Sequence, residues 1–111
     1  MSECIFCKIA SGEIPADFVY RNEKVFVIRD ITPQAPTHLL VIPTQHVASA
    51  AEVSDPAVWA AVMEQATEAA RFLNLTEGYR MVINTGAQSG QTVPHLHLHL
   101  LSGRVFDWPP G

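Results

Sequence analysis

Apolar residues along this chain recur at two spacings, and the change from one to the other divides it into elements. Over Trp59, Val62, Met63, Ala66, Ala69, Ala70 and Leu73 they return every three or four positions, the repeat of one α-helical face. Ser54 or Asp55 can cap the start and Pro56 suits the first turn. Glu64 and Glu68 fall on the polar side, and Asn74 to Gly78 stops the helix. The stripe reads as core or dimer surface rather than a cofactor box. A shorter helix is expected over residues 4–10, with Ile5, Phe6 and Ile9 on one side and Ser11-Gly12 at its end. Elsewhere the period falls to two. Phe18 to Arg21 and Lys24 to Asp30 read as strands joined at Asn22-Glu23. His38 to Pro43, nearly all apolar, reads as a central strand, and Tyr79 to Asn84 as a fourth. Between the second and third strands, Pro33 and Pro36 remove backbone donors and force a loop.

The last expected strand carries the chemistry. In His95-Leu96-His97-Leu98-His99-Leu100-Leu101, three of the five histidines alternate with leucines. On a strand they share one face, roughly 6.5–7 Å apart. Three adjacent imidazoles titrating near neutrality are too costly to keep for packing alone, so the row is read as a site. One zinc ion, with nitrogen bonds of about 2.0–2.1 Å, cannot reach both His95 and His99 without a bend. Nucleophilic or acid–base chemistry on an elongated anionic substrate suits the spacing better. A small polar loop, Thr85 to Thr92, leads into this strand, and the tail from Ser102 ends in Trp108-Pro109-Pro110-Gly111.

Composition narrows the setting. A chain of 111 residues makes one domain, and its 48% apolar content is ordinary for a globular protein. Neither an apolar run of about 18 residues nor a secretory leader is visible, so a cytoplasmic protein without a membrane span is expected. A net charge of −4, with seven scattered Lys and Arg, argues against long nucleic acid but leaves room for a small anion. Cys4 and Cys7 are too few for a secreted disulfide framework. They could be half of a metal site, a redox pair or ordinary thiols. Two histidines would complete a Cys2His2 zinc set, closed and therefore structural.

The histidine row matches the His-φ-His-φ-His-φ-φ signature, φ being apolar, and so resembles the histidine triad family. The likeness extends over Asp30 to His38, Asn84, Gly90-Gln91-Thr92-Val93 and the Trp-Pro-Pro-Gly ending, essentially the whole chain. These blocks look like the family's nucleotide-binding branch. The resemblance implies an α+β fold of about five antiparallel strands with one long and one short helix. It also implies a homodimer whose two sheets join into one, the tail packing near the active site across the two-fold.

It implies a purine nucleoside phosphoramidase as well, cleaving the P–N bond of adenosine 5′-monophosphoramidate-type substrates through a nucleotidyl-histidine. By position, His97 is the nucleophile, oriented by the His95 carbonyl. His99, Thr92 and the Gly90-Gln91 backbone face the phosphate, and His38 supports the row. Asp30 matches the ribose carboxylate, Ile5, Phe6, Ile28 and Ile31 the base pocket, and Asn84 a phosphate or ribose contact. The family's bacterial members often carry zinc on positions matching Cys4, Cys7, His46 and His95. Thr92 stands where the branch commonly has serine; it keeps the hydroxyl, but the β-branch restricts its rotamers. A nucleotide-binding regulator with vestigial turnover, or a dinucleoside polyphosphate hydrolase of the same superfamily, are the alternatives.

Overall fold

The computed structural model describes residues 3–111, and within them the expected α+β architecture is present. The elements are α1 (Ile5–Ala10), β1 (Phe18–Arg21), β2 (Val25–Arg29), β3 (Thr37–Pro43), α2 (Pro56–Phe72), β4 (Tyr79–Val82) and β5 (Leu98–Ser102). The five strands form one antiparallel sheet in the order β1-β2-β3-β5-β4. Asn22 closes the first hairpin: its side-chain oxygen accepts from the Lys24 and Val25 amides at 2.8 and 2.9 Å. Lys24 therefore belongs to the turn, not to β2.

Strand alternation sorts the core into two layers. Val25, Val27, Leu39, Val41, Leu98 and Leu100 face α2 and meet Val62, Ala66, Ala69 and Ala70. Phe26, Ile28, Leu40 and Ile42 face the other way and meet Cys4, Phe6 and Ile9 around α1. Three alanines on the inner face of α2 let the helix lie close to the sheet. Asp55 is its cap, accepting from the Ala57 amide at 2.9 Å, and Pro56 opens the first turn. The inward stripe is Val58, Val62, Ala66, Ala69 and Ala70. This corrects the expected face: Met63 is 38% exposed on its flank, about 100° round the helix from Val62. Trp59 joins a separate cluster with Val47, Val58 and Leu96. Among the described residues no helix is long and apolar enough to cross a membrane.

The second correction concerns the histidine row. β5 begins at Leu98, so His95 and His97 precede the strand and only His99 lies within it. Ladder bonding gives way here to other partners. The Leu96 amide donates to the Val47 carbonyl at 2.7 Å, and the Pro43 carbonyl accepts from the His95 ring at 2.8 Å. Pro43, ending β3, has no amide with which to extend the pairing. The chain bends at His95, and the three rings need not project in parallel.

Candidate functional site

The site lies on the α1 face of the sheet. β3 contributes His38 and β5 contributes His99, diagonal neighbours because Leu40 pairs with His99 and His38 with Leu101. α1 lays Phe6 edge-on against His95 and His97, with ring centroids 5.7 and 5.1 Å away. His97 and His99 rings stand 5.0 Å apart. His95 and His97 are buried, and His99 is half-buried.

Hydrogen-bond partners assign the ring tautomers. The Gln34 amide donates to His38 Nδ1 at 3.0 Å, so neutral His38 carries its proton on Nε2. That Nε2–H donates to His99 Nδ1 at 2.9 Å, which leaves the His99 proton on its outer Nε2. The Asp30 carboxylate, 3.4 Å from His38 Nε2, favours the same arrangement. On the other branch, His97 Nδ1–H donates to the His95 carbonyl at 2.7 Å. His97 Nε2 is then a lone pair, and no protein group bonds it among the described residues. His95 Nε2–H donates to the Pro43 carbonyl, so its Nδ1 is also a lone pair. Of the adjacent pair, His99 thus offers a donor and His97 a nucleophilic nitrogen.

Burial disfavours the charged form of His38, His95 and His99. It pushes His38 and His95 below the usual imidazole range, the Asp30 charge opposing it at His38 and the Pro43 bond at His95. His99 is lowered to about 4, first by burial and then by repulsion from His97 and His38. An NMR titration should therefore show the His99 ring protonating near pH 4, with no transition around 6.5. Between those values the unfolded chain binds the proton that the native ring refuses, so His99's contribution to stability falls as pH drops from about 6.5 to 4. A His99 midpoint above 6 would contradict the buried, neutral donor.

A second group gathers beneath α1. Cys4 Sγ is 3.2 Å from His95 Nδ1, Cys7 Sγ is 3.4 Å from His46 Nδ1 and 3.7 Å from His95 Nδ1, and the two imidazole nitrogens are 3.2 Å apart. A tetrahedral zinc ion needs nitrogens about 3.3 Å apart and nitrogen–sulfur pairs at about 3.6 Å. The donor set matches, and it could hold a metal. The orientation of His95 agrees: its outer Nε2–H meets a carbonyl and its lone pair faces the thiols, the pattern of a ligating histidine. Asp30, His38 and His99 also converge. There the sign is reversed. A neutral His38 ligating through Nε2 would carry its proton on Nδ1, against the Gln34 amide. That cluster suits a relayed proton rather than an ion.

The remaining expected residues are placed unequally. Phe6 and Ile28 are buried, Ile5 is 44% exposed and Ile31 is 94% exposed. Asp30 turns one oxygen to the Thr32 amide at 2.9 Å, keeping the other toward His38. Asn84 is half-buried beside Gly90, which takes φ +99°, a conformation that glycine adopts freely. Thr92 is exposed, at the edge of a cleft of about 440 Å³ lined also by Ile5, His46 and Pro94. A groove of about 500 Å³ between β1 and α2 holds none of the histidines. The Gln91 side chain ties down the loop before His95 by donating to the Ala48 and Val93 carbonyls and accepting from the Gly86 amide. Two partners of the site, the Gln34 amide and the Pro43 carbonyl, were not foreseeable from the sequence, because backbone groups carry no side-chain signal.

A family pattern described as the HIT domain matches residues 11–106. The chain belongs to the HIT family. An uncharacterised HIT-like protein of Synechococcus elongatus is 50% identical, with all of both chains covered. The crystal structure of a HIT family hydrolase from Legionella pneumophila superposes with a TM-score of 0.95 at 47% identity, covering 98% of this chain and 100% of that one. A histidine triad nucleotide-binding protein from Candida albicans gives a TM-score of 0.85 at 31% identity, covering 98% of this chain and 85% of that one. The expected family and fold are both borne out. In this HIT protein the matched span begins after α1, so Cys4, Phe6 and Cys7 lie outside it.

Proposed function

We propose that this HIT protein is a hydrolase of purine nucleoside phosphoramidates. The observation that carries the reading is the His97 ring, tied through Nδ1–H to the His95 carbonyl with its Nε2 lone pair unengaged. In this reading, Nε2 attacks the α-phosphorus and the P–N bond to the amine breaks. The amine leaves with a proton taken from solvent, and a nucleotidyl-His97 remains; the water of the next step returns that proton. Water then attacks the same phosphorus, releasing the nucleoside monophosphate and restoring the ring. The His99 Nε2–H, held outward by His38, stabilises the phosphate charge in a partly dry site. Thr92 and the Gly90-Gln91 backbone complete the phosphate contacts, with Asn84 on phosphate or ribose. Asp30 takes the ribose hydroxyls, and the base lies against Phe6, Ile28, Ile5 and Ile31. The similar Legionella and Candida proteins, a hydrolase and a nucleotide-binding protein by name, support the class.

Incubation with adenosine 5′-monophosphoramidate should release adenosine monophosphate and ammonia in equal amounts over many turnovers. Binding without release would favour the regulatory alternative. Cleavage confined to dinucleoside polyphosphates would move the protein to another branch.

Zinc is the metal we assign to Cys4, Cys7, His46 and His95. Four protein ligands leave no open position, so its role is to hold α1 and the His95 bend together. We also propose a cytoplasmic homodimer. β4 is an edge strand on which Tyr79 and Met81 are 39% and 37% exposed, and Trp108 in the tail is 81% exposed. Pairing two β4 edges would cover the unsatisfied strand and this apolar surface. Sedimentation at micromolar concentration should give twice the chain mass; a single monomeric species would refute the pairing.

A further inference from the structure

One backbone amide, that of Gln34 in the loop between β2 and β3, holds His38 Nδ1 as an acceptor. That loop has little secondary structure, and two contacts from the chain after β5 hold it. The Arg104 Nε–H donates to the Gln34 carbonyl at 3.0 Å. Its guanidinium lies 4.2 Å from the centroid of the Phe106 ring, a stacking that limits its freedom. One residue earlier, Gly103 takes φ +101° and runs against Pro36 so closely that a Cβ there would lie 2.7 Å from the proline Cβ. Both contacts come from the turn that leaves β5, the strand bearing His99. The same turn therefore sets the loop against the strand.

We propose that Arg104 is a positioning residue for the His38–His99 pair, acting through Gln34 to hold both rings as Nε2–H tautomers. The chain of dependence is short. If the Gln34 amide withdraws, His38 Nδ1 is free to take the proton, and its Nε2 becomes an acceptor. His99 then places its own proton on Nδ1, facing His38, and loses the outward Nε2–H donor. Asp30, 3.4 Å from His38 Nε2, still favours the original tautomer, so the loss is partial. Arg104 is exposed and its bond is of ordinary strength, which bounds the effect at about three- to tenfold in rate.

The kinetic consequence rests on the phosphoramidase reading, whereas the tautomer consequence does not. Ring ¹⁵N shifts of His38 and His99 should be recorded in the wild-type protein, in Arg104→Ala and in Gly103→Ala. The first variant removes the donor to the Gln34 carbonyl; the second drives Pro36 away. The wild type should show single Nε2–H tautomers at both rings, and each variant a mixture at both. With adenosine 5′-monophosphoramidate, kcat should fall about three- to tenfold while KM stays within about twofold. A merely structural role would lower melting temperature without moving the ring tautomers. Unchanged tautomers in folded Arg104→Ala would overturn the proposal, and so would a rate effect confined to KM. If no phosphoramidate is turned over, the ring nitrogens still decide it.

Discussion

Substituting His97 by asparagine is expected to lower phosphoramidate turnover by about 10⁴-fold or more while leaving nucleotide affinity within about threefold. Asparagine is the sharper choice because its amide retains a donor that can reach the His95 carbonyl, now bonded by Nδ1–H at 2.7 Å. Alanine would also open a void beside Phe6, whose ring stands 5.1 Å from that of His97, and mix lost packing with lost chemistry. Neither variant supplies a nucleophilic nitrogen. Intact-mass spectrometry of rapidly quenched wild-type protein should show the added nucleotidyl group, absent from both variants. His99→Ala should behave differently, slowing both halves of the reaction but still forming the adduct, because it removes a donor and not the attacking atom. Near-normal turnover in His97→Asn, or an adduct mapped to another residue, would reject the assigned nucleophile.

Much of this was legible because the residue pattern and the physics coincide. Val25, Val27, Leu39 and Val41 alternate with Phe26, Ile28 and Leu40, and the fold uses both faces, one for α2 and one for α1. The Asp55-Pro56 start of α2 is local chemistry and reads directly from sequence. The rotation of that helix is less local. Met63 and Val62 are both apolar, and only the position of the sheet decides that Val62 is buried and Met63 half-turned to solvent. The histidine row shows the same division. Its residue types and spacing identify a site, yet strand alternation alone would make the three rings equivalent. They differ because of partners set by the fold: the Pro43 carbonyl for His95, the His95 carbonyl for His97, and His38 for His99. Backbone groups set the sign of most of these nitrogens, and a sequence displays the backbone identically at every position.

Removing the metal from the zinc-loaded protein is expected to destabilise it by at least about 3 kcal/mol, a fall of roughly 10 °C or more in Tm for a domain of this size. The contacts among the four donors run from 3.2 to 3.7 Å, close to what one tetrahedral ion requires. Without the ion, two thiols and two imidazoles must share that space through weak sulfur hydrogen bonds, with Cys4 and His95 buried. α1 has only six residues, too short to persist alone, and Cys4 is its N-cap. Loosening it would unseat Phe6 from His95 and His97. The effect should reach the reaction as well, because His95 is used twice: its ring belongs to the four-donor cluster that could hold a metal, and its carbonyl accepts from His97 Nδ1–H. Cys7→Ser, which spares the helix cap, should therefore lose bound zinc and lower both Tm and kcat. His97→Asn, by contrast, should keep the zinc and the Tm and lose only turnover. Elemental analysis should find one zinc per chain in the wild type. A zinc-free preparation with unchanged Tm and full activity would separate the two sites and remove the metal from any account of how His97 is held.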